Sequence, residues 1–240
     1  MNIVAAVQVR MGSSRLPGKA MAEIEGHPMT WHIVNRLRQA KLLQGVVIAV
    51  PDDARNEPIR HMARDESIPY FADSEDDLIS RIYGTARAFG ADAIVRICGD
   101  CPLVDPDIVD RVIREYLFGE WQYVCNVRPQ TFPDGLDVGL YSSWLLKQLN
   151  GVLTSPVDRE WFSVYVWENL HPDLMYNVTR EPDISHLRWT VDYPEDLEFV
   201  REVYAELGID FRTADVLALL ERRPRLVRLD EPQYRRGEIH

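Results

Sequence analysis

The chain predicts an α/β fold with a mostly parallel, Rossmann-like sheet, helices on both faces and a small insertion. Three observations point there. Short apolar, β-branched runs recur at residues 3–9, 46–50 and 93–98, as in strands buried on both faces. The stretches between them carry apolar residues at helical spacing. The bulk composition, 46% hydrophobic over 240 residues, suits one soluble domain with a sizeable core.

The first run changes character abruptly at Arg10. Arg10 to Lys19 holds two glycines, two serines, a proline and three cations. No Asp or Glu precedes Glu23, although the chain carries a net charge of -11. An acidic protein that keeps its first strand and loop free of acids is arranged to receive an anion there; a solvated surface loop is the plainer alternative. Gly12 and Gly18 permit tight turns, and successive N–H groups in such turns form an anion-binding concavity. Arg10, Arg15 and Lys19 add charge-assisted hydrogen bonds. One charge pair about 4 Å apart is worth roughly 4 kcal/mol at an effective dielectric near 20, before desolvation. Three cations therefore suit a polyphosphate better than a lone carboxylate. The P-loop pattern does not fit, because five residues separate Gly12 from Gly18 and Ala20 follows Lys19. The dinucleotide fingerprint is absent as well.

The remaining elements follow in order. A hairpin-like stretch, 20–24, leads to Gly26, and Pro28 opens a helix that runs to about Lys41 on Met29, His32, Ile33, Arg36, Leu37 and Ala40. The strand at 46–50 ends at Pro51. A loop with Asp52, Asp53 and Arg55 begins a helix reaching about Asp65, and a short strand occupies 69–72. Ser74 and Asp77 read as a capping box for the helix bearing Leu78, Ile82, Ala86 and Phe89. Glu75 and Asp76 are then helix-start acids rather than metal ligands. Arg81, one turn inside, could reach a ligand at the helix start. After the strand at 93–98, Asp105 caps a helix opened by Pro106, which buries Ile108, Val109, Val112, Ile113, Tyr116 and Leu117. Capping explains Asp105 and Asp107 more cheaply than a metal-binding D-x-D. Asp100 differs: it lies just past the carboxyl end of an apolar strand, where open α/β sheets bind ligands, and the next helix starts six residues later.

A further strand at 123–127 precedes a break in the alternation. Residues 128–171 include a short helical stretch near Leu145 and a helix carrying Trp161, Phe162, Tyr165, Val166 and Trp167, aromatics of a core or a subunit interface. Another strand is expected at 187–191. Pro194 then opens a helix on Leu197, Val200, Val203, Tyr204 and Leu207, for which Asp192 could be a cap. A last helix follows Thr213. The reading is thus one domain over 1–222 and a charged, Pro-containing tail over 223–240.

The net charge argues against a general nucleic-acid binder. No apolar run reaches transmembrane length, and residues 3–9 are too short and lack the basic start of a signal peptide. Three cysteines give no disulfide framework, and a cytoplasmic setting is expected. Cys98 and Cys101 form a single C-x-x-C with no partner pair, which reads as the end of a buried strand rather than a metal or redox site.

The string from Gln8 to Lys19 resembles the N-terminal signature of sugar-acid cytidylyltransferases. The branch is similar to spore-coat-polysaccharide F-type proteins, relatives of the CMP-KDO and CMP-acylneuraminate synthetases. Gly99-Asp100-Cys101-Pro102-Leu103, Asp134-Gly135-Leu136-Asp137, Asp158-Arg159-Glu160 and the run from Arg188 to Leu197 resemble later motifs of that family, in order. Two positions depart: Gly139 stands where relatives often carry Glu, and Trp161 where they often carry His.

The resemblance implies a nucleotide-diphospho-sugar transferase fold and the reaction of CTP with a sugar acid to give CMP-sugar and pyrophosphate. It implies catalytic roles for Arg10, Lys19 and Asp100. It implies nucleotide contacts from Gln8, Arg10, Met11, Gly12, Ser13, Ser14, Arg15, Lys19, Arg81, Cys98 and Gly99. It implies sugar contacts from Asp134, Gly135, Asp137, Arg159 and Glu160, with 128–171 as an insertion that lines the sugar site and supports a homodimer. Asp100 and Asp192 would bind Mg²⁺, so their carboxylates should lie within roughly 6 Å of each other. No general base can be named. The alternatives are a nucleotidyltransferase using UTP or GTP with a sugar 1-phosphate, and a non-catalytic nucleotide-binding homologue.

Overall fold

A computed structural model describes residues 1–230. In chain order, β1 (Ile3–Gln8) leads through a loop to a small hairpin, β2 (Glu23–Ile24) and β3 (His27–Pro28), and to α1 (Met29–Leu37). Then come β4 (Gly45–Pro51), α2 (Glu57–Asp65), β5 (Tyr70–Asp73), α3 (Leu78–Ala88), β6 (Ala93–Cys98) and α4 (Pro106–Phe118). β7 (Tyr123–Cys125), β8 (Gly139–Ser142), α5 (Ser143–Val152), α6 (Pro156–Glu160), α7 (Phe162–Asn169) and β9 (Met175–Asn177) follow, and α8 (Pro194–Leu207) and α9 (Thr213–Arg222) close the series.

Seven strands form one sheet in the order β5-β4-β1-β6-β8-β7-β9, in which β8 alone runs against its neighbours. Each central strand divides its side chains between two cores. Ile3, Ala5 and Val7 of β1 enter one, with α1, α2, α4, α8 and α9; Val4 and Ala6 enter the other, with α3, α5 and α7. β4 splits in the same way, Val46, Ile48 and Val50 against Val47 and Ala49. With both faces covered, neither strand has a solvent-facing position for polar residues, hence the unbroken apolar runs.

The connections place the site. From β1 the chain moves to β4 and β5 on one side, then returns across β1 to β6 on the other. The loops after β1 and β6 therefore diverge, leaving a crevice at the carboxyl ends of these strands, the switch point where open α/β sheets bind ligands.

Several expected elements differ. α1 stops at Leu37, because the following turn is tightened by i to i+3 bonds and its exit amides, Lys41 N and Leu42 N, donate to Asp110 at 2.9 Å each. Pro28 precedes that helix instead of opening its first turn. The cap of α3 is Asp77, which accepts from Ser80 N at 2.9 Å, so Ser74 lies outside the helix. Leu117 is 47% exposed, and the buried face of α4 ends at Tyr116. β7 ends at Cys125 because buried Asn126 bonds Leu136 O and Val138 N, which turns the chain back toward β8. The stretch 128–171 contributes β8 to the main sheet as well as α5, α6 and α7.

Residues 187–191 form no strand. Arg188 N donates to Arg228 O, Trp189 N to Asp134 O and Val191 N to Asp100 O, so successive amides serve three different segments and no ladder builds up. The first part of the expected tail, 223–230, is docked, with Leu226 buried and Leu229 bridged to Leu187. The rest of that tail, 231–240, lies outside the described residues. No helix among the described residues is long and apolar enough to cross a membrane.

Candidate active site

β1 and β6 are in register, with Gln8 beside Cys98. They touch closely at their ends. Gly99 N donates to Gln8 O at 2.8 Å, and a Cβ on Gly99 would fall 2.7 Å from that oxygen, so only glycine fits. Two loops leave this junction and wall a cleft of about 660 Å³. Every expected nucleotide-binding residue except Met11 lines it. Met11 supports the loop from beneath: its carbonyl accepts from Ser13 N at 2.9 Å and Gly18 N at 3.4 Å, and its N–H donates to Asn56 Oδ1 at 2.8 Å.

Five cations face the cleft, Arg10, Arg15, Lys19, Arg81 and Arg96, against three acids, Asp100, Glu160 and Asp192. The lining is thus cationic in a chain whose net charge is -11. Lys19 is the junction of the site. Its Nζ donates to Val191 O at 2.6 Å, Asp192 Oδ1 at 2.9 Å and Asp100 Oδ2 at 3.5 Å. The last two distances cap the separation of those carboxylate oxygens at about 6.4 Å.

Asp192 is 5% exposed and is held from both sides. Its Oδ1 also meets Arg15 at 2.9 Å, and its Oδ2 lies 3.4 Å from Arg188, which is 1% exposed. Arg188 is anchored in turn on Asp196, in the first turn of α8, at 2.6 Å. Burial alone would raise the Asp196 pKa. The Arg188 hydrogen bond and the N–H groups of Asp192 and Tyr193 hold it below the ordinary value.

At another wall of the cleft, Arg10 lies 3.5 Å from Glu75, which also pairs with Arg55. Arg81 donates to Ser74 O at 2.6 Å. Burial lowers its pKa, against the attraction of Glu160, and its buried Nε has no hydrogen-bond partner among the described residues. A buried donor left unmet costs about 1–3 kcal/mol, so this edge of Arg81 favours a ligand that brings an acceptor.

The expected sugar contacts are not brought together. Glu160 lines the cleft; Asp134, Gly135, Asp137 and Arg159 do not. Asp134 accepts from Thr190 Oγ1 at 3.1 Å, and Gly135 lets the chain pass the Trp189–Thr190 backbone so closely that a Cβ would lie 2.6 Å away. Both serve the packing of the segment that leads to Asp192. Arg159 is committed to Asp77 at 2.7 Å and to the carbonyls of Asn150 and Leu153. Of the two departures, Trp161 lines the cleft, while Gly139 pairs with Arg96 beneath the Tyr141 ring. Sequence reasoning overlooked Arg96 and Tyr193. For Arg96 a signal was present, since it is the single charge in the run Ala-Ile-Val-Arg-Ile-Cys.

The donors around Lys19 suit a hard cation. Two carboxylates and one carbonyl oxygen converge there. Magnesium takes one or two carboxylates and fills its shell with water and substrate phosphate. The C-x-x-C is not a thiolate pair, because Cys101 is buried and burial pushes its thiol well above the ordinary value. Cys98, Cys101 and Cys125 form no disulfide.

A family model described as cytidylyltransferase matches residues 4–131. The 3-deoxy-manno-octulosonate cytidylyltransferase of Trichlorobacter lovleyi is 37% identical over 117 residues; the match spans 49% of this chain and 46% of that protein, so the chain spans about half the length of that relative. The spore coat polysaccharide biosynthesis protein SpsF of Bacillus subtilis is 26% identical over 236 residues, covering 93% of this chain and 95% of that one. The solved structure of a cytidylyltransferase from Leptospira borgpetersenii superposes with a TM-score of 0.90 at 28% identity and covers both chains completely. The sheet and its helices have the nucleotide-diphospho-sugar transferase fold.

Proposed function

The chain belongs to the cytidylyltransferase family, and we propose that it transfers CMP from CTP to a hydroxyl of a sugar acid, releasing pyrophosphate, as a step in making a surface polysaccharide. The observation that carries this reading is the junction at Lys19. A cationic turn and two acids from distant segments meet at the carboxyl ends of β1 and β6. The name of the Trichlorobacter relative supports an ulosonate-type acceptor, and that of SpsF supports a polysaccharide.

In this reading the backbone and side chains of the 10–19 loop receive the triphosphate, and Asp100 and Asp192 hold Mg²⁺. When bound, the ion supplies positive charge at the α-phosphoryl group. The sugar hydroxyl gives up its proton to solvent water and its oxygen attacks the α-phosphorus in line. A phosphorus–oxygen bond forms to the sugar, and the one to the β-phosphate breaks. The departing pyrophosphate takes the bonding electrons, and Arg10, Arg15 and Lys19 stabilise the charge that develops on it.

The test is pyrophosphate release with CTP, UTP, GTP or ATP against a panel of sugar acids, 3-deoxy-manno-octulosonate among them, and of sugar 1-phosphates. Release is expected only with CTP and a sugar acid. Turnover of a sugar 1-phosphate with UTP or GTP would replace the reading with its sister chemistry. Silence from every pair would leave a nucleotide-binding homologue.

A further inference from the structure

We propose that Arg96 receives the carboxylate of the acceptor and so sets the preference of the site for acidic sugars. The proposal rests on the cytidylyl-transfer reading above and adds the residue that recognises the acceptor's charge.

Arg96 interrupts an otherwise apolar strand in the middle of the sheet. A charge in such a place needs an outlet or a partner, because burying it bare is costly. Arg96 opens on the cleft. Residues two apart on a strand share a face, and Arg96 and Cys98 both line the crevice from β6.

The guanidinium is fixed in place. Its Nε donates to Gln8 Oε1 at 2.8 Å and its Nη1 to Ser163 Oγ at 2.9 Å, and its central carbon lies 5.4 Å from the centre of the Phe162 ring. Gln8 and Ser163, both uncharged, orient the fork. Ser163 is held as well, with its Oγ 2.7 Å from the Tyr141 hydroxyl in the second core. An arginine fork set rigidly against a packed wall matches the planar, two-oxygen geometry of a carboxylate.

Its position argues for the acceptor rather than the nucleotide. Arg10, Arg15 and Lys19 stand on the loop after β1, whereas Arg96 leans on α7 through Phe162 and Ser163. Where α6 meets α7, Glu160 and Trp161 also line the cleft. A carboxylate for hydroxyl groups and an aromatic face for a pyranose ring are the complements a sugar acid needs beside a cation. Arg159, the cation among the sugar contacts that the family resemblance implies, does not line the cleft and is held by Asp77, Asn150 and Leu153.

The experiment is steady-state kinetics on the full chain with saturating CTP. The acceptor is whichever sugar acid the panel shows to be turned over, used beside its carboxamide. Wild type, Arg96→Gln and Arg96→Lys are compared, with melting temperature and CTP affinity as controls for folding. We expect Arg96→Gln to raise KM for the acid about tenfold to a hundredfold, with Arg96→Lys in between. The deciding readout is the preference for acid over amide. It should be large in wild type and collapse in Arg96→Gln, whereas a merely structural role would weaken acid and amide together. An unchanged ratio overturns the inference and leaves cytidylyl transfer standing. If Arg96→Gln does not fold, the ratio in Arg96→Lys decides, because the lysine keeps the charge but not the fork. A wild type that turns over no sugar acid overturns the proposed function, and this inference with it.

Discussion

Lys19 reaches across 81 and 173 residues of sequence to join Asp100 and Asp192. Its ammonium is the cation that lets those two acids sit side by side. Lys19→Met removes it and leaves Asp100 facing Asp192 in a partly dry corner. Asp192 keeps Arg15 and Arg188. We expect the variant to lose about 1–3 kcal/mol, which is several degrees in melting temperature for a chain of this size. Millimolar Mg²⁺ should then recover more of the loss in Lys19→Met than it adds to wild type, since the ion would take the place of the ammonium. Thermal melts with and without Mg²⁺ measure this independently of activity. Equal responses in the two proteins would mean that the acids do not form a cation site.

At the scale of elements, the N-terminus of α8 carries Asp192 into place. Asp196 accepts the Asp192 and Tyr193 amides at 3.0 and 2.9 Å while it binds Arg188, so one carboxylate caps the helix and anchors the arginine behind the site. Its depressed pKa means that the folded state prefers the ionised form. The resulting stability is fully present above the ordinary carboxylate range, near pH 4, and is lost as pH falls through the folded value. Asp196→Asn should therefore cost about 3 kcal/mol at neutral pH and flatten the loss of stability below about pH 4, as read by denaturant melts across pH. Equal acid slopes in both proteins would assign the acid sensitivity elsewhere. This end of α8 also shows what a sequence reveals. Pro194 announces the helix, and the placement of Asp192 and Asp100 beyond strand ends announces the site. The runs of β1, β4 and β6 are legible because both of their faces are buried. β8 is not, because Gly-Leu-Tyr-Ser has neither an apolar run nor alternation. Residues 187–191 read as a strand by composition, yet their partners are scattered over three segments, which only the tertiary structure decides. Ser74 satisfied a local capping rule, while Asp77, bound also to Arg159, took the role through a contact with α6.

Across the whole molecule, the site is assembled from segments far apart in the chain, and its last support comes from residues 223–230. There Arg228 reaches Asp196 at 3.2 Å and its carbonyl accepts Arg188 N at 3.0 Å, while Asp230 N donates to His186 O at 2.8 Å. Leu226 is buried in the larger core. This segment therefore clamps the strip from His186 to Arg188 that leads to Asp192. Ending the chain after Arg222 should remove about 2–3 kcal/mol of burial and charge-assisted bonding. At this size that lowers the melting temperature by roughly 4–12 °C. The effect on function should be selective. CTP should still bind, because the 10–19 loop and Asn56 lie outside the clamp, but kcat should fall well below the wild-type value once Asp192 is no longer held in place. Calorimetry with CTP and initial rates of pyrophosphate release, both well below the new melting point, separate the two effects. A truncated chain with unchanged kcat would show that Arg188 and Asp196 position Asp192 without help from the clamp.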